Sequence, residues 1–246
     1  MSLSVKELTG GYSRIPVLKN ISFEIEDGEL VGLIGLNGAG KSTTIKHVMG
    51  LLKPFEGDIR LDGQTVDEAP DTYRKKIGFI PETPLLYEEL TLREHIEITA
   101  LAYDIKKDEA FKRAELLLQL FRLTDRLDWF PSDFSKGMKQ KVMILCAFIT
   151  EPSLYIIDEP FVGLDPLAIR DLIQLIEEKK NNGASILMST HVLANAERIC
   201  DRFLIIDEGK IYAQGTLNEL HQQFNMPNAT LDEMYATLAD KEGFMQ

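Results

Sequence analysis

One short segment constrains the fold of this chain more than any other, the glycine-rich run GLNGAGKST at residues 35–43. It matches the pattern G-x-x-x-x-G-K-[ST] and directly follows a solidly apolar run, LVGLIG, at residues 30–35. Glycines in such a turn let the backbone wrap an anion with its N–H groups pointing inward. The segment therefore predicts a phosphate site between a buried strand and a helix over residues 41–49.

The residue types in this phosphate loop (residues 35–43) suit a nucleotide polyphosphate. Lys41 would neutralise β- and γ-phosphate charge, and the Ser42 hydroxyl is a ligand type that Mg²⁺ accepts. The alternative is an ordinary glycine-rich turn with a surface lysine, which the strand before it and the helix after it disfavour. The predicted nucleotide-binding residues of the loop are Gly35, Leu36, Asn37, Gly38, Ala39, Gly40, Lys41, Ser42 and Thr43.

A second apolar run, LYIID at residues 154–158, ends in the acid pair Asp158 and Glu159. Neighbouring residues on a strand point to opposite sides, so one acid can face a metal ion while the other serves a water molecule. We assign Asp158 to Mg²⁺, and Glu159 to the role of general base or orienter of the attacking water. The alternative is a helix N-cap pair before Pro160.

A third apolar run, SILMS at residues 185–189, is followed closely by His191. Ligands of open α/β sheets gather outside the carboxyl ends of the strands. A histidine at that edge can hydrogen-bond a γ-phosphate and hold the catalytic water, although a lone histidine is more often structural. We therefore predict that His191 belongs to the same site as the acid pair.

Apolar strand-like runs that alternate with helical patterns indicate an α/β fold. The stretch over residues 3–25 alternates apolar and polar residues, which is typical of antiparallel strands with one wet face. Residues 85–150 are almost entirely helical in pattern, so we predict a helical subdomain inserted between core segments 1–84 and 151–215. Capping boxes at Thr216 and Thr230 predict a small helical appendage over residues 216–246.

Charge and composition exclude several functions. The net charge is −12, which repels nucleic acid phosphates, so we expect no nucleic acid partner. The two cysteines, Cys146 and Cys200, have no metal-site spacing, and a reduced cytosolic setting is the default. No apolar run is long enough to span a bilayer, so we expect a soluble chain that reaches a membrane only through a partner.

Seven motifs in order resemble the nucleotide-binding subunit of an ATP-binding cassette (ABC) transporter, over about residues 3–220. The segments FSKGMKQK and IPETPLLYEEL resemble the Ecs-type subunits of Gram-positive bacteria. The motifs are Tyr12 in GGY, the phosphate loop, Glu82 in FIPETP, the signature segment FSKGMKQ (residues 134–140), LYIIDEP, the D-loop GLDP (residues 163–166) and STH ending at His191.

The resemblance implies an ABC-type P-loop ATPase that uses ATP and Mg²⁺ and dimerises head to tail. In that arrangement Tyr12 stacks on adenine, Glu82 joins the metal ligands, and Asp165 contacts the dimer partner. Ser135 and Gly137 reach across to the ATP of the second subunit. A homodimer is expected, although pairing with a paralogue stays open, and the dimer drives a separate membrane permease from the inner face of the cell membrane.

Two departures from the family pattern are visible. Glu82 stands where the family usually has glutamine, and a charged ligand would either bind Mg²⁺ more tightly or repel the γ-phosphate. In the signature segment, Lys136 replaces the first glycine and Met138 the final glutamine. With Lys139 and Lys141, Lys136 forms a basic cluster, which either attracts the partner's ATP or is a solvated helix face.

Two other classes of protein share parts of this pattern. A soluble ABC ATPase acting on ribosomes or DNA usually carries two cassettes, coiled coils or basic linkers, and none of these is present. A GTPase would need an N-K-x-D motif and a P-loop kinase an arginine-rich lid, and neither is found. The apolar segment 84–87 after Glu82 is expected to dock a helix of the membrane subunit, with packing of the helical subdomain as the alternative.

Overall fold

The computed structural model describes residues 2–243, with side chains for residues 2–237. Within those residues the elements are β1 (Leu3–Tyr12), β2 (Ile15–Ile25), β3 (Leu30–Ile34), α1 (Lys41–Val48), β4 (Glu56–Leu61), α2 (Pro70–Lys75), β5 (Ile77–Ile80), α3 (Leu92–Ala102), α4 (Lys107–Phe121), α5 (Lys136–Ile149), β6 (Leu154–Asp158), α6 (Pro166–Asn181), β7 (Ser185–Ser189), α7 (Leu193–Ile199), β8 (Arg202–Asp207), β9 (Lys210–Gly215), α8 (Leu217–Phe224) and α9 (Leu231–Gly243).

The larger sheet has the strand order β5-β6-β7-β3-β8-β9. All of its neighbouring strands run parallel except the final antiparallel pair, β8 and β9. Every residue of β3 and of β7 is buried, because helices or the second sheet cover both faces. This arrangement confirms the three apolar runs as parallel strands, and it brings their carboxyl ends to one edge.

The second sheet has three strands in the order β2-β1-β4 and is antiparallel. The hairpin between β1 and β2 turns at Ser13 and Arg14, which both have positive φ, as a two-residue primed turn requires. Its inner face, including Leu8 and Phe23, packs with Val31 and Ile45 in one hydrophobic cluster. The predicted antiparallel N-terminal region is therefore confirmed, and it buries one side of the phosphate-loop helix α1.

Helices α3, α4 and α5 pack on one another and form the helical subdomain. A capping box formed by Thr91 and Glu94 begins α3. Helix α4 begins at Lys107, and Asp108 and Glu109 in its first turn suit the positive end of a helix. It ends where Arg122 adopts the left-handed conformation, with φ of 60°.

Helix α9 packs on α7, which begins two residues after His191. Leu231 and Met234 of α9 are buried with Leu193 and Ala196 of α7. The predicted capping boxes are formed at the starts of both α8 and α9. Residues 244–246 of the predicted appendage lie outside the described residues, as does residue 1. Within the described range, none of the helices combines the length and apolar character needed to cross a bilayer.

Candidate nucleotide-binding site

The phosphate loop is built from glycines that the local geometry requires. Gly40 has φ of 117° and immediately precedes α1. A Cβ at Gly35 would lie 2.5 Å from the carbonyl oxygen of Ile206, and one at Gly40 would lie 2.8 Å from the Leu18 side chain. Larger residues at these two positions would push the loop away from the sheet, so the sequence at 35 and 40 fixes the shape of the turn.

Lys41 spans the loop from the first turn of α1. Its Nζ donates to the carbonyl oxygens of Gly35 at 2.7 Å and Leu36 at 3.2 Å. The residue is only 9% exposed. The first N–H groups of α1 have no acceptor inside the helix. A nearly buried cation beside free backbone donors is an environment that favours a phosphate anion.

Asp158 ends β6 directly opposite Ser189, the last residue of the neighbouring strand β7. The Ser189 hydroxyl donates to the Asp158 carboxylate. Burial raises the pKa of Asp158, and the nearby negative charge of Glu82 adds to the rise, while the Ser189 hydrogen bond and the charge of Lys41 oppose it. A cation at this position would relieve the cost of keeping the carboxylate ionised.

Glu159 and His191 are in direct contact. Oε2 of Glu159 accepts hydrogen bonds from the backbone N–H of His191 at 3.0 Å and from its ring Nδ1 at 2.7 Å. Glu159 is 8% exposed and has a positive φ of 49°, which turns its side chain at the strand end. Because the carboxylate accepts, Nδ1 carries a proton and Nε2 is the ring nitrogen left to meet a ligand.

The oxygen donors near Asp158 fit Mg²⁺. Ser42 is exposed on α1, and Glu82 is exposed in the segment after β5, where its charge acts on Asp158. Among the described residues no group of three or more His, Cys, Asp or Glu side chains could hold a metal ion by itself. Mg²⁺ in nucleotide sites binds through one or two carboxylates and keeps waters and substrate phosphates as its other ligands.

Tyr12 lies at the end of β1, against α1. Its hydroxyl accepts a hydrogen bond from Lys46 Nζ at 3.1 Å, and the Lys46 ammonium lies 5.3 Å from the centre of the ring. The Lys46 hydrogen bond, with a smaller contribution from Thr43, lowers the pKa of Tyr12. The ring is partly exposed and is held beside the phosphate-loop helix, so it can offer a face to a flat ligand.

The signature segment forms the start of α5. Ser135 is the N-cap residue, and its Oγ accepts a hydrogen bond from the backbone N–H of Met138 at 3.3 Å. In the described chain no hydrogen bond joins Ser135 or Gly137 to the phosphate loop. The phosphate loop, the acid pair and His191 follow neighbouring strands of one sheet, whereas the signature segment lies at the start of α5.

Two lysines of the basic cluster are paired within the chain. Lys139 forms an ion pair with Glu88 at 3.3 Å, and Lys141 forms one with Asp165 at 2.9 Å. Lys136 is exposed and has no ion pair among the described residues, although its side-chain carbons lie near Gly163. Lys139 and Lys141 thus balance charges of their own subunit.

Three contacts at the site were not predicted from the sequence. They are the Ser189 hydrogen bond to Asp158, the Lys46 contact with Tyr12, and a hydrogen bond at 3.2 Å from the buried Gln140 side chain to the carbonyl oxygen of Pro81, next to Glu82. The hydrogen bond between Ser189 and Asp158 could have been predicted by aligning the two apolar strands, because these two residues end them. The other two depend on packing between elements distant in sequence.

Comparisons with known proteins agree with this geometry. The family model described as ABC transporter matches residues 18–162. The ABC-type transporter ATP-binding protein EcsA of Bacillus subtilis (strain 168) is 60% identical over 98% of this chain and 97% of its own length. A solved ATP-binding subunit of an ABC transporter has a TM-score of 0.94 and 54% identity, covering 97% of this chain and 100% of its own. A dimeric cassette, MJ0796, in a post-hydrolysis state with ADP and Pi, has a TM-score of 0.79 and 28% identity, covering 87% of this chain and 98% of its own.

Proposed function

The chain belongs to the ABC transporter family as an ATP-binding subunit, and we propose that it hydrolyses ATP between two cassettes to drive a separate membrane permease. The observation that carries the proposal is the convergence of three strand ends. The phosphate loop follows β3, the acid pair ends β6 and His191 follows β7, all at one edge of the sheet. This edge offers a cation, a metal-binding acid and a base together.

The chain's own residues account for each part of the reaction. Lys41 and the backbone N–H groups of the phosphate loop hold the β- and γ-phosphates. Glu159 takes a proton from a water molecule as that water's oxygen bonds to the γ-phosphorus and the bond to the β–γ bridging oxygen breaks, giving ADP and phosphate. Nε2 of His191 can donate to a γ-phosphate oxygen when the ring carries both protons.

Three oxygen ligands from this chain would hold the Mg²⁺ that accompanies ATP. They are Ser42, Asp158 and Glu82, with waters and phosphate oxygens completing the shell. When bound, the ion supplies positive charge that offsets the charge on the β- and γ-phosphates. The raised pKa of Asp158, caused first by its burial, supports this assignment because a neighbouring cation stabilises the ionised carboxylate.

A second cassette completes the site. Ser135 and Gly137 lie at the start of α5, where a helix N-terminus can bind the phosphate of the partner's ATP. Asp165, in the D-loop, contributes to the surface that meets the partner. The dimeric MJ0796 structure supports this arrangement for a related cassette. ATP bridges the two subunits only when they are closed, and binding therefore shifts the population toward the closed dimer.

The permease partner would dock near segment 84–87. Leu85 is 73% exposed and Tyr87 is 61% exposed, so the segment offers two large apolar side chains that a partner helix could cover. The segment follows Glu82, so docking and the metal ligand share one stretch of chain. Through this contact the subunit would lie on the inner face of the cell membrane, with two identical copies as the expected pair.

The dimeric mechanism predicts a turnover that depends on protein concentration. If each ATP needs residues from two subunits, phosphate release per subunit rises with concentration until the dimer is saturated. A titration of the purified chain over a wide concentration range at saturating ATP and Mg²⁺, read by phosphate release, measures this. A specific activity that stays constant down to the lowest concentration would assign the hydrolysis to a monomer and contradict the proposal.

Tyr12 is expected to contribute affinity through its ring face. Replacing Tyr12 with alanine should weaken ATP binding by up to about tenfold, the effect of losing one aromatic stacking contact. Tyr12→Phe keeps the ring while losing the Lys46 hydrogen bond, and should retain most of the affinity. Fluorescent-ATP titration of both variants checks this, and equal affinity for Tyr12→Ala and the parent chain would remove Tyr12 from the adenine site.

A further inference from the structure

The start of helix α5 and the D-loop touch through their backbones. A Cβ placed on Gly137 would lie 2.4 Å from the carbonyl oxygen of Gly163, and this is closer than any real side chain tolerates. The side-chain carbons of Lys136 lie 3.7–3.8 Å from the Cβ position of Gly163. The signature segment and the D-loop, 26 residues apart from Gly137 to Gly163, therefore share one tightly packed contact.

An ion pair secures the same contact one turn further along α5. Lys141 Nζ lies 2.9 Å from Oδ2 of Asp165, and the Lys141 side chain is only 11% exposed. The other carboxylate oxygen of Asp165 accepts the backbone N–H of Ala168 at 2.9 Å and so caps α6. Lys141 first, and this cap second, hold the pKa of Asp165 below its usual value. One carboxylate thus ties α5, the D-loop and α6 together.

The energetics of this pair favour a positional role. Exposed ion pairs add little to stability, and burying a lysine side chain costs desolvation and rotamer freedom. The pair instead fixes the position of the D-loop relative to α5, because the donor Lys141 belongs to α5 and the acceptor Asp165 caps the start of α6. Without the ammonium, the D-loop keeps its cap on α6 but loses its polar link to the signature helix.

We propose that Lys141 is a positioning residue that clamps the D-loop to the signature segment, so that both present one rigid surface to the second cassette. The inference rests on the proposed function, which places both segments against the partner. It also assigns the Asp165 carboxylate to bonds within its own subunit, while the backbone of the D-loop forms the surface. Loss of the clamp should weaken closure of the dimer without touching the phosphate loop that binds ATP.

The test uses full-length variants in the Glu159→Gln background, in which we expect ATP to bind and turnover to fall by about 10²- to 10⁴-fold. Lys141→Ala removes the clamp, Lys141→Arg keeps the charge, and Asp165→Asn keeps an oxygen for the α6 cap while removing the ionic partner. The matched control is Lys53→Ala, because Lys53 forms an exposed ion pair with Asp67 at a similar 3.0 Å far along the chain from the clamp. Sedimentation measures the dimer dissociation constant with ATP, and fluorescent-ATP titration measures binding by the monomer.

Lys141→Ala and Asp165→Asn should each raise the dimer dissociation constant by about tenfold, within the range for residues in direct contact. Combining them should add little, Lys141→Arg should restore most of the closure, and Lys53→Ala should behave as the parent. ATP binding by the monomer and the thermal midpoint should stay unchanged. If Lys141→Ala dimerises with the same dissociation constant as the parent, the clamp is overturned. It is also overturned if the monomer of this variant loses as much affinity for ATP as the dimer loses in dissociation constant. A parent that binds ATP but never dimerises would overturn the proposed function and the clamp with it.

Discussion

Replacing Glu159 with glutamine is expected to lower ATP turnover by about 10²- to 10⁴-fold, the contribution of a positioned general base. The amide oxygen of glutamine can still accept the hydrogen bonds that His191 donates to Oε2 at 3.0 Å and 2.7 Å, so the local structure should persist. An amide cannot take the proton of the attacking water. Phosphate release at saturating ATP measures the loss.

A measurement of ATP binding distinguishes the loss of the general base from a general defect in the fold or in the nucleotide site. Glu159→Gln should bind fluorescent ATP as tightly as the parent chain, because neither the phosphate loop nor the metal-binding acid Asp158 is changed. Its thermal midpoint should also stay near that of the parent. Turnover within a few-fold of the parent would mean that another group accepts the proton, and Glu159 would then keep only its contact with His191.

Replacing Lys41 with alanine is expected to lower phosphate release by about 10²- to 10³-fold, as when one preorganised charge partner is removed from a reacting centre. Unlike Glu159→Gln, this variant should also bind ATP more weakly. Lys41 is the nearly buried cation whose Nζ lies across the loop from Gly35 and Leu36. Both fluorescent-ATP affinity and phosphate release should therefore fall together.

The control for Lys41→Ala is Lys112→Ala, which removes an exposed lysine from α4 and the same formal charge from the chain. It should leave ATP affinity and turnover unchanged, showing that the loss is local and not an effect of net charge. Full ATP affinity in Lys41→Ala would place the phosphate site elsewhere. A lowered thermal midpoint without ATP would instead indicate that the loop depends on Lys41 for its shape.

The parts of the site that follow single strands could be predicted from the sequence. The phosphate loop, the acid pair and His191 each come directly after an apolar run, and parallel strands bring their carboxyl ends to one edge. The local order of residues is therefore enough to predict that these three parts of the site lie at one edge of the sheet. The capping boxes at Thr216 and Thr230 were equally visible, because a cap needs only residues three positions apart.

The contacts that join distant elements were not predictable in the same way. Ser189 meets Asp158 only because of the register between β6 and β7, and Lys141 meets Asp165 only because α5 packs beside the start of α6. From the sequence alone, Lys141 was one member of a basic cluster that either attracts the partner's ATP or is a solvated helix face. Its burial and its ion pair depend on tertiary packing, which a linear pattern does not contain.

The most direct test of the whole account is the ATP-dependent mass of Glu159→Gln in solution. Sedimentation should give the 27.8 kDa monomer without nucleotide. It should give a species of twice that mass with ATP and Mg²⁺, because nucleotide held between two cassettes is hydrolysed and released far more slowly in this variant. A chain that stays monomeric at saturating ATP, while the parent monomer shows full turnover, would contradict hydrolysis between paired cassettes.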